Sequence, residues 1–473
     1  MNNKYKYLGK NTIVFAISSF GTKFLSFLLV PLYTSVLSTE EYGVADLITT
    51  TATLMIFIFT INISSSVLRF TLDKRDYGSN ILSYGFRIIC IGTIVSAILL
   101  GLTYISGLIG WPLYYFLFIL LYFVSMALYE LMSNYLRAID KVKEVAVAGV
   151  LSSLIIIVSN IIFLLIVKVG LIGYLVSLVL GPLFAAIYCM IVVKEPLKTY
   201  FVVECETTLK RDMLLYCIPL IFNNIALWIN AFLDRYFVTF FCGVSENGIY
   251  SVASKIPTIL SLCYSVFASA WTLSAIKEFD PKDTDGFFSK TYNTYGALMT
   301  TACSGIILLN VPLAHFLYSK DFFVAWQYSS VLLLSVMFNT LTVFQGSIFS
   351  AAKQTKTIAT TTIISAIANT ILNALLIPKM GALGAAIATA VAYFSMWMTR
   401  YVSSKKFITM QINLIKDCII YFIIVLQILF EHFEGHFYMG QVICVLLVAF
   451  LNRRTLINII EILLRKFKYD ACK

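Results

Sequence analysis

The sequence predicts an all-α integral membrane protein of twelve to fourteen spans, fourteen by the reading below, in two six-helix lobes plus a terminal pair. Three observations carry that reading: recurrent apolar runs, alternation of basic loops, and an internal repeat. Of 473 residues, 60% are hydrophobic and 12% charged, and the mean hydropathy is +0.88. Runs such as 13–36, 151–167 and 171–193 meet or approach the roughly 20 residues that cross about 30 Å of hydrocarbon. A β-barrel would show alternating segments of roughly 10 residues instead.

In chain order the expected spans are 11–36, 44–70, 80–105, 112–136, 145–167, 170–193, 213–240, 249–276, 291–318, 324–352, 357–378, 381–402, 412–430 and 437–452. Lys416, Asp417 and Glu434 crowd the last two. Residues 453–473 place Leu456, Ile460, Leu463 and Phe467 at helical spacing among Arg453, Arg454, Arg465, Lys466 and Lys468. That pattern predicts a basic amphipathic helix on an anionic leaflet. The basic segment 1–10 precedes a full-length apolar run with no small-residue cleavage site, so the first helix is expected to stay.

The basic residues fix the orientation. Of 35 Lys and Arg, 28 fall in the N-terminus, the even-numbered loops or the tail, and three (Lys168, Lys320, Lys379) in odd-numbered loops. The positive-inside rule therefore predicts both termini in the cytoplasm and an even number of spans. This distribution also accounts for the net charge of +11 without a nucleic-acid partner. Ten scattered cysteines with no CxxC pair read as small hydrophobes, not as a disulfide or metal framework.

The chain repeats itself at nearly one spacing. Residues 138–143 (Ala-Ile-Asp-Lys-Val-Lys) resemble 351–356 (Ala-Ala-Lys-Gln-Thr-Lys), and 168–173 (Lys-Val-Gly-Leu-Ile-Gly) resemble 379–384 (Lys-Met-Gly-Ala-Leu-Gly). Residues 38–43 (Ser-Thr-Glu-Glu-Tyr-Gly) resemble 245–248 (Ser-Glu-Asn-Gly). Matches in order at equivalent topological points predict duplicated halves of one orientation, a transporter architecture. The expected parts are 1–211 (first six spans), 212–404 (next six), 405–452 (an added pair) and the tail 453–473.

Several segments resemble a known family. Lys10-Asn11 followed by Phe24-Leu-Ser-Phe-Leu-Leu-Val-Pro31-Leu-Tyr, then Ser38 and Glu41-Tyr-Gly43, is similar to the start of oligosaccharide flippases of the polysaccharide transporter family. So are Asp234-Arg235-Tyr-Phe with Gly243, then Gly248-Ile-Tyr250-Ser-Val-Ala-Ser-Lys255, and Gly381-Ala-Leu-Gly384-Ala-Ala-Ile-Ala388. The family belongs to a superfamily with multidrug extruders and lipid II flippases, and the resemblance covers most of 5–405. It implies a V-shaped two-lobe transporter in the bacterial cytoplasmic membrane. The implied activity is alternating-access translocation of undecaprenyl-pyrophosphate-linked oligosaccharide repeat units, to be assembled into O-antigen, capsule or exopolysaccharide. A polysaccharide polymerase and a chain-length regulator are the implied partners. Most O-antigen-type members are expected to have twelve spans; fourteen leans toward the lipid II type.

Four cations, Lys23, Arg69, Arg235 and Lys255, fall inside expected spans and are not counted with any loop, terminus or tail. A charge near the bilayer centre costs at least about 2.5–3.5 kcal/mol, so it normally marks a pathway. Lys23 lies about 12 residues, roughly 18 Å, into the first span, and Lys255 about 10 Å below the outer surface. Together they are expected to bind pyrophosphate, Arg bidentately and Lys as a point charge. For Arg69 and Arg235 the alternative is snorkelling; for Lys23 and Lys255 it is an ion pair between helices. Asn62 and Asn223 could hydrogen-bond sugar hydroxyls, or neighbouring helices. Asp46, Glu130 and Asp234 are candidates for H+ or Na+ coupling, although Asp234 more simply balances Arg235. His432 and His436, flanked by Glu431 and Glu434, read as a solvated outer loop, short of a metal site.

No resident cofactor is expected, and without a G-x-x-x-x-G-K-[ST] motif direct use of ATP is disfavoured. A multidrug extruder of organic cations would favour intramembrane acids over Lys and Arg. A membrane-embedded glycosyltransferase or polymerase would need catalytic groups on substantial outer loops, which are short here. The charge pattern yields a test: Lys23→Ala should abolish complementation of a flippase-null strain at normal membrane levels, and wild-type activity would remove Lys23 from the substrate path.

Overall fold

The structure is a computed structural model, described here over residues 27–194, 205–433 and 437–471. Every described element is helical. Lys23 and most of the expected first span lie outside the described residues, as does His436. The chain forms two compact units: Met1–Tyr236 with Val244–Gly248, and Phe237–Gly243 with Ile249–Lys473.

The first unit contains α1 (Val30–Val36), α2 (Thr39–Phe59), α3 (Ile63–Asp73), α4 (Gly78–Ile105), α5 (Leu113–Ala138), α6 (Val142–Asn160), α7 (Gly170–Val193) and most of α8 (Thr207–Cys242). Helix α2 starts at a capping box. Ser38 Oγ accepts from Glu41 N at 3.1 Å, while Ser38 N donates to Glu41 Oε2 at 2.9 Å, satisfying two groups that a helix start leaves open. The span expected over 44–70 breaks at 60–62. Ile61 and Asn62 there take left-handed backbone angles (φ 54° and 53°), a conformation Asn tolerates better than most residues. Helix α5 packs against α2, α3, α4 and α7. Tyr33, Tyr42 and Tyr174 cluster beside it, with Asn160 donating to Tyr33 Oη at 3.2 Å.

The second unit contains the rest of α9 (Val244–Ala253), α10 (Lys255–Lys277), α11 (Phe287–Leu308), α12 (Asn310–Leu317), α13 (Trp326–Ala351), α14 (Thr355–Ser404), α15 (Leu414–His432) and α16 (Tyr438–Ala471). Helix α13 is its centre, packed against α10, α11 and α14. Trp271 donates to Phe344 O at 3.1 Å and stacks on the Phe344 ring at 4.2 Å. The eleventh and twelfth expected spans form one run, α14, interrupted at Gly381 (φ 59°, ψ −144°) just after Pro378. The tail is helical as far as Ala471 and continues α16 without a break.

Among the described residues nine helices are long and apolar enough to cross a membrane, or ten if α11 and α12, bent by 61°, form one span. The exposed apolar face of α4, with Ile94, Ile98, Leu102 and Ile105, has no reason to persist in water and suits lipid.

Repeat-related positions share rare backbone geometry. Asp140 and Lys353 are both left-handed (φ 63° and 58°), as are Gly170 and Gly381 (55° and 59°). The third pair meets directly: a Cβ on Gly43 would stand 2.1 Å from Val244 O, and one on Gly248 would stand 1.9 Å from Thr39 O. Thr39 and Ser245 share a 2.6 Å hydroxyl hydrogen bond beside them. Helix α2 and the start of α9 therefore touch backbone to backbone inside the first unit. Overpacking typically costs about 1–3 kcal/mol, and more where backbone must move. Gly248→Ala should lose the monodisperse peak in detergent, while Gly296→Ala, where a Cβ meets nothing within 4 Å, should keep it; a normal Gly248→Ala profile would contradict the close approach.

Candidate functional site

Close approach of α2 and α9 brings polar groups together one turn further along. Asp46 lies three residues after Gly43 on α2 and pairs with the guanidinium of Arg235 on α8; their side chains are only 8% and 11% exposed. Asn247, fully buried on α9, donates to Gly43 O at 3.2 Å and approaches Asp46 Oδ2 at 3.4 Å. Arg235 also sits 5.1 Å over the Phe232 ring, a cation–π contact.

The helices are fixed in register around this cluster. Trp228 donates to Thr50 O at 3.3 Å, and Tyr236 shares a 2.7 Å bond with Thr51. Trp228 and Arg235 are seven apart on α8, while Thr50 and Asp46 are four apart on α2, so two stripes run antiparallel. Sequence reading paired Arg235 with its neighbour Asp234. The structure assigns the guanidinium to Asp46 instead, and the buried Asp234 carboxylate accepts the backbone N–H of Arg235 at 3.0 Å. Adjacent side chains on a helix point about 100° apart, which separates the two groups.

Arg69 pairs with Asp73 one turn away at 3.3 Å, and both are about half exposed (58% and 49%). Asn62 is 4% exposed, and its Oδ1 accepts from Ser65 Oγ at 3.3 Å, so its side chain braces the helix break. Asn223 is half-buried on α8. Glu130 is half-buried on α5, two turns before Arg137. Lys255 is half-buried as the first residue of α10, immediately after a break at Ser254. Pro257 falls in that first turn, where its missing N–H costs no helical bond, so it follows the break and does not create a mid-helix kink.

Two charged residues escaped the sequence reading. Arg400, counted there with an inner basic loop, is 4% exposed inside α14. It donates to Thr361 Oγ1 at 3.1 Å, Thr362 Oγ1 at 3.0 Å and Thr342 O at 2.7 Å, and makes no ion pair among the described residues. The buried face through Thr389, Met396, Trp397 and Tyr401 was the available signal. Glu431 is fully buried in the last turn of α15 and accepts from Asn310 Nδ2 at 2.7 Å. His432 is likewise no free loop residue: its ring nitrogens lie 2.9 Å from Ile428 O and 3.1 Å from Gln327 O. Among the described residues no three His, Cys, Asp or Glu side chains stand together as a metal site.

Long apolar helices in two compact units, with charged groups enclosed by helices, define the class: a multi-pass membrane protein of transporter fold. Solved structures share this fold. "Lipid II flippase MurJ, inward closed conformation" superposes with a TM-score of 0.69 at 18% identity, over 93% of this chain and 98% of that one. An inward-facing multidrug resistance MATE family transporter of the MOP superfamily gives 0.65 at 14% identity, over 81% and 95%. A MOP superfamily transporter from Pyrococcus furiosus gives 0.58 at 14%, over 85% and 96%.

The chain belongs to the family described as polysaccharide biosynthesis protein, which matches residues 8–272, more than half its length. The motifs at 24–33, 41–43 and 234–255 all fall inside that match. No curated protein sequence matches the chain. The fold is the one these solved transporters share, and the family is one of polysaccharide biosynthesis.

Removing one partner of a buried ion pair leaves a lone charge and costs about 3–5 kcal/mol. Asp46→Ala and Arg235→Ala should each lower the melting temperature sharply, and the double variant should lose clearly less than the sum. Strictly additive losses would show that the two side chains act independently.

Proposed function

We propose that this protein is a flippase that turns polyprenyl-pyrophosphate-linked oligosaccharide repeat units from the cytoplasmic to the outer leaflet of a bacterial cytoplasmic membrane, for surface-polysaccharide assembly. Membership of the polysaccharide biosynthesis family carries this reading. The sign of the stranded charges supports it, because a pyrophosphate needs cations along a path that the bilayer otherwise makes costly. Lys23, Arg69, Arg235 and Lys255 are the groups proposed to contact the pyrophosphate on that path, with Asn62 and Asn223 toward the sugars.

Asp46 takes a specific part in this proposal. It holds Arg235 oriented when no phosphate is near, and an arriving phosphate competes for the same guanidinium by bidentate hydrogen bonding. A pair that exchanges partners couples substrate arrival to loosening of α8 from α2. Asp46, Glu130 and Asp234 remain the proposed carriers of a coupling H+ or Na+. Both termini are proposed to be cytoplasmic, and a polymerase and a chain-length regulator are the proposed partners.

Deleting the gene should abolish the surface polymer and accumulate lipid-linked repeat units whose sugars stay shielded from external enzymes. A plasmid copy should reverse both effects. Unchanged surface polymer would contradict the proposal, and accumulation of lipid II with cell lysis would assign the substrate to the peptidoglycan precursor.

A further inference from the structure

A basic cleft of about 440 Å³ opens in the second unit where the first turns of α11 and α15 lie beside the middle of α16. Lys416, Arg453 and Arg454 line it alongside the amides of Asn293, Gln411 and Asn413, and no acidic residue does. None of the three cations pairs with an acid among the described residues. Three like charges around one cleft repel each other unless an anion sits among them. The Arg453 guanidinium is held 3.9 Å over the Phe450 ring, which fixes one charge at the rim.

The level of the cleft follows from helix length. Lys416 lies 16 residues before the end of α15 at His432, and Arg453 lies 15 residues after the start of α16 at Tyr438. At 1.5 Å per residue both are about 23 Å from the opposite turn, close to a hydrocarbon thickness of about 30 Å. Above the cleft on α16 runs an exposed apolar stripe, Ile443, Leu446, Leu447 and Phe450, spaced to fall on one helix face with Arg454. A site with cations at the interface and an apolar stripe rising from it matches a molecule with a phosphate at one end and hydrocarbon at the other.

We propose that this cleft binds the phosphodiester headgroup of an anionic bilayer phospholipid, with its acyl chains along the α16 stripe. Its location explains why Arg453 and Arg454 directly follow the last span: they bind lipid as well as orient the chain. The apolar groove of about 330 Å³ lined by Phe394, Tyr421, Phe422 and Val425 is a separate feature, since those α15 residues lie on the face opposite Lys416. The proposal does not depend on which substrate the protein carries.

The test uses the full-length protein in neutral detergent with phosphatidylglycerol, phosphatidylcholine, inorganic phosphate or undecaprenyl pyrophosphate. Retained lipid is read by native mass spectrometry and stability by melting temperature. Each basic side chain near an anionic lipid surface is worth about a fivefold gain in affinity. Arg454→Gln should therefore weaken phosphatidylglycerol binding about fivefold, and Lys416→Gln/Arg453→Gln/Arg454→Gln about 100-fold. Melting in phosphatidylcholine alone should stay unchanged in both. Equal phosphatidylglycerol retention by the wild type and the single and triple variants would overturn the proposal. So would stabilisation by inorganic phosphate equal to that by phosphatidylglycerol, or loss of undecaprenyl pyrophosphate binding alone in the variants.

Discussion

The backbone contact between Gly43 and Gly248 is the constraint on which the first unit's site depends. Helices that meet without side chains between them bring along whatever stands one turn further on. Here that is Asp46, which receives Asn247 from α9 and Arg235 from α8. Burying either charge alone would cost several kcal/mol, so the cluster is stable only as a set. In the proposed function, the same desolvation would make the cluster selective, because an incoming anion would meet a guanidinium already dehydrated and aimed.

Much of this was legible in the sequence, but unevenly. Apolar length and basic loops specify a helical membrane protein, since hydrocarbon tolerates little else. The repeat was visible as short matches, and the structure shows what those residues share: a left-handed turn at Asp140 and Lys353, another at Gly170 and Gly381, and a glycine crossing at 43 and 248. Those positions recur because few residues tolerate such geometry.

Pairing was not legible. Asp46 and Arg235 were each singled out, but for different roles, because a sequence separation of 189 carries no sign of which charge faces which. Arg400 was lost for another reason: close to the inner end of its expected span, a basic residue reads with the neighbouring basic loop until the structure shows it enclosed. Glu431 was lost in the same way at the opposite end of α15. Helix boundaries, the least certain part of a hydropathy reading, decide whether a charge is solvated or enclosed.

The proposed cargo is an anionic lipid-linked glycan. The most direct measurement uses proteoliposomes carrying undecaprenyl-pyrophosphate-linked repeat units, with the sugar pool accessible to an external glycosidase followed over time. The purified protein should speed inner-leaflet sugar to the outside and do nothing for the same glycan on an uncharged polyprenol. Equal rates for the two lipids, or no acceleration of the pyrophosphate form, would contradict the account.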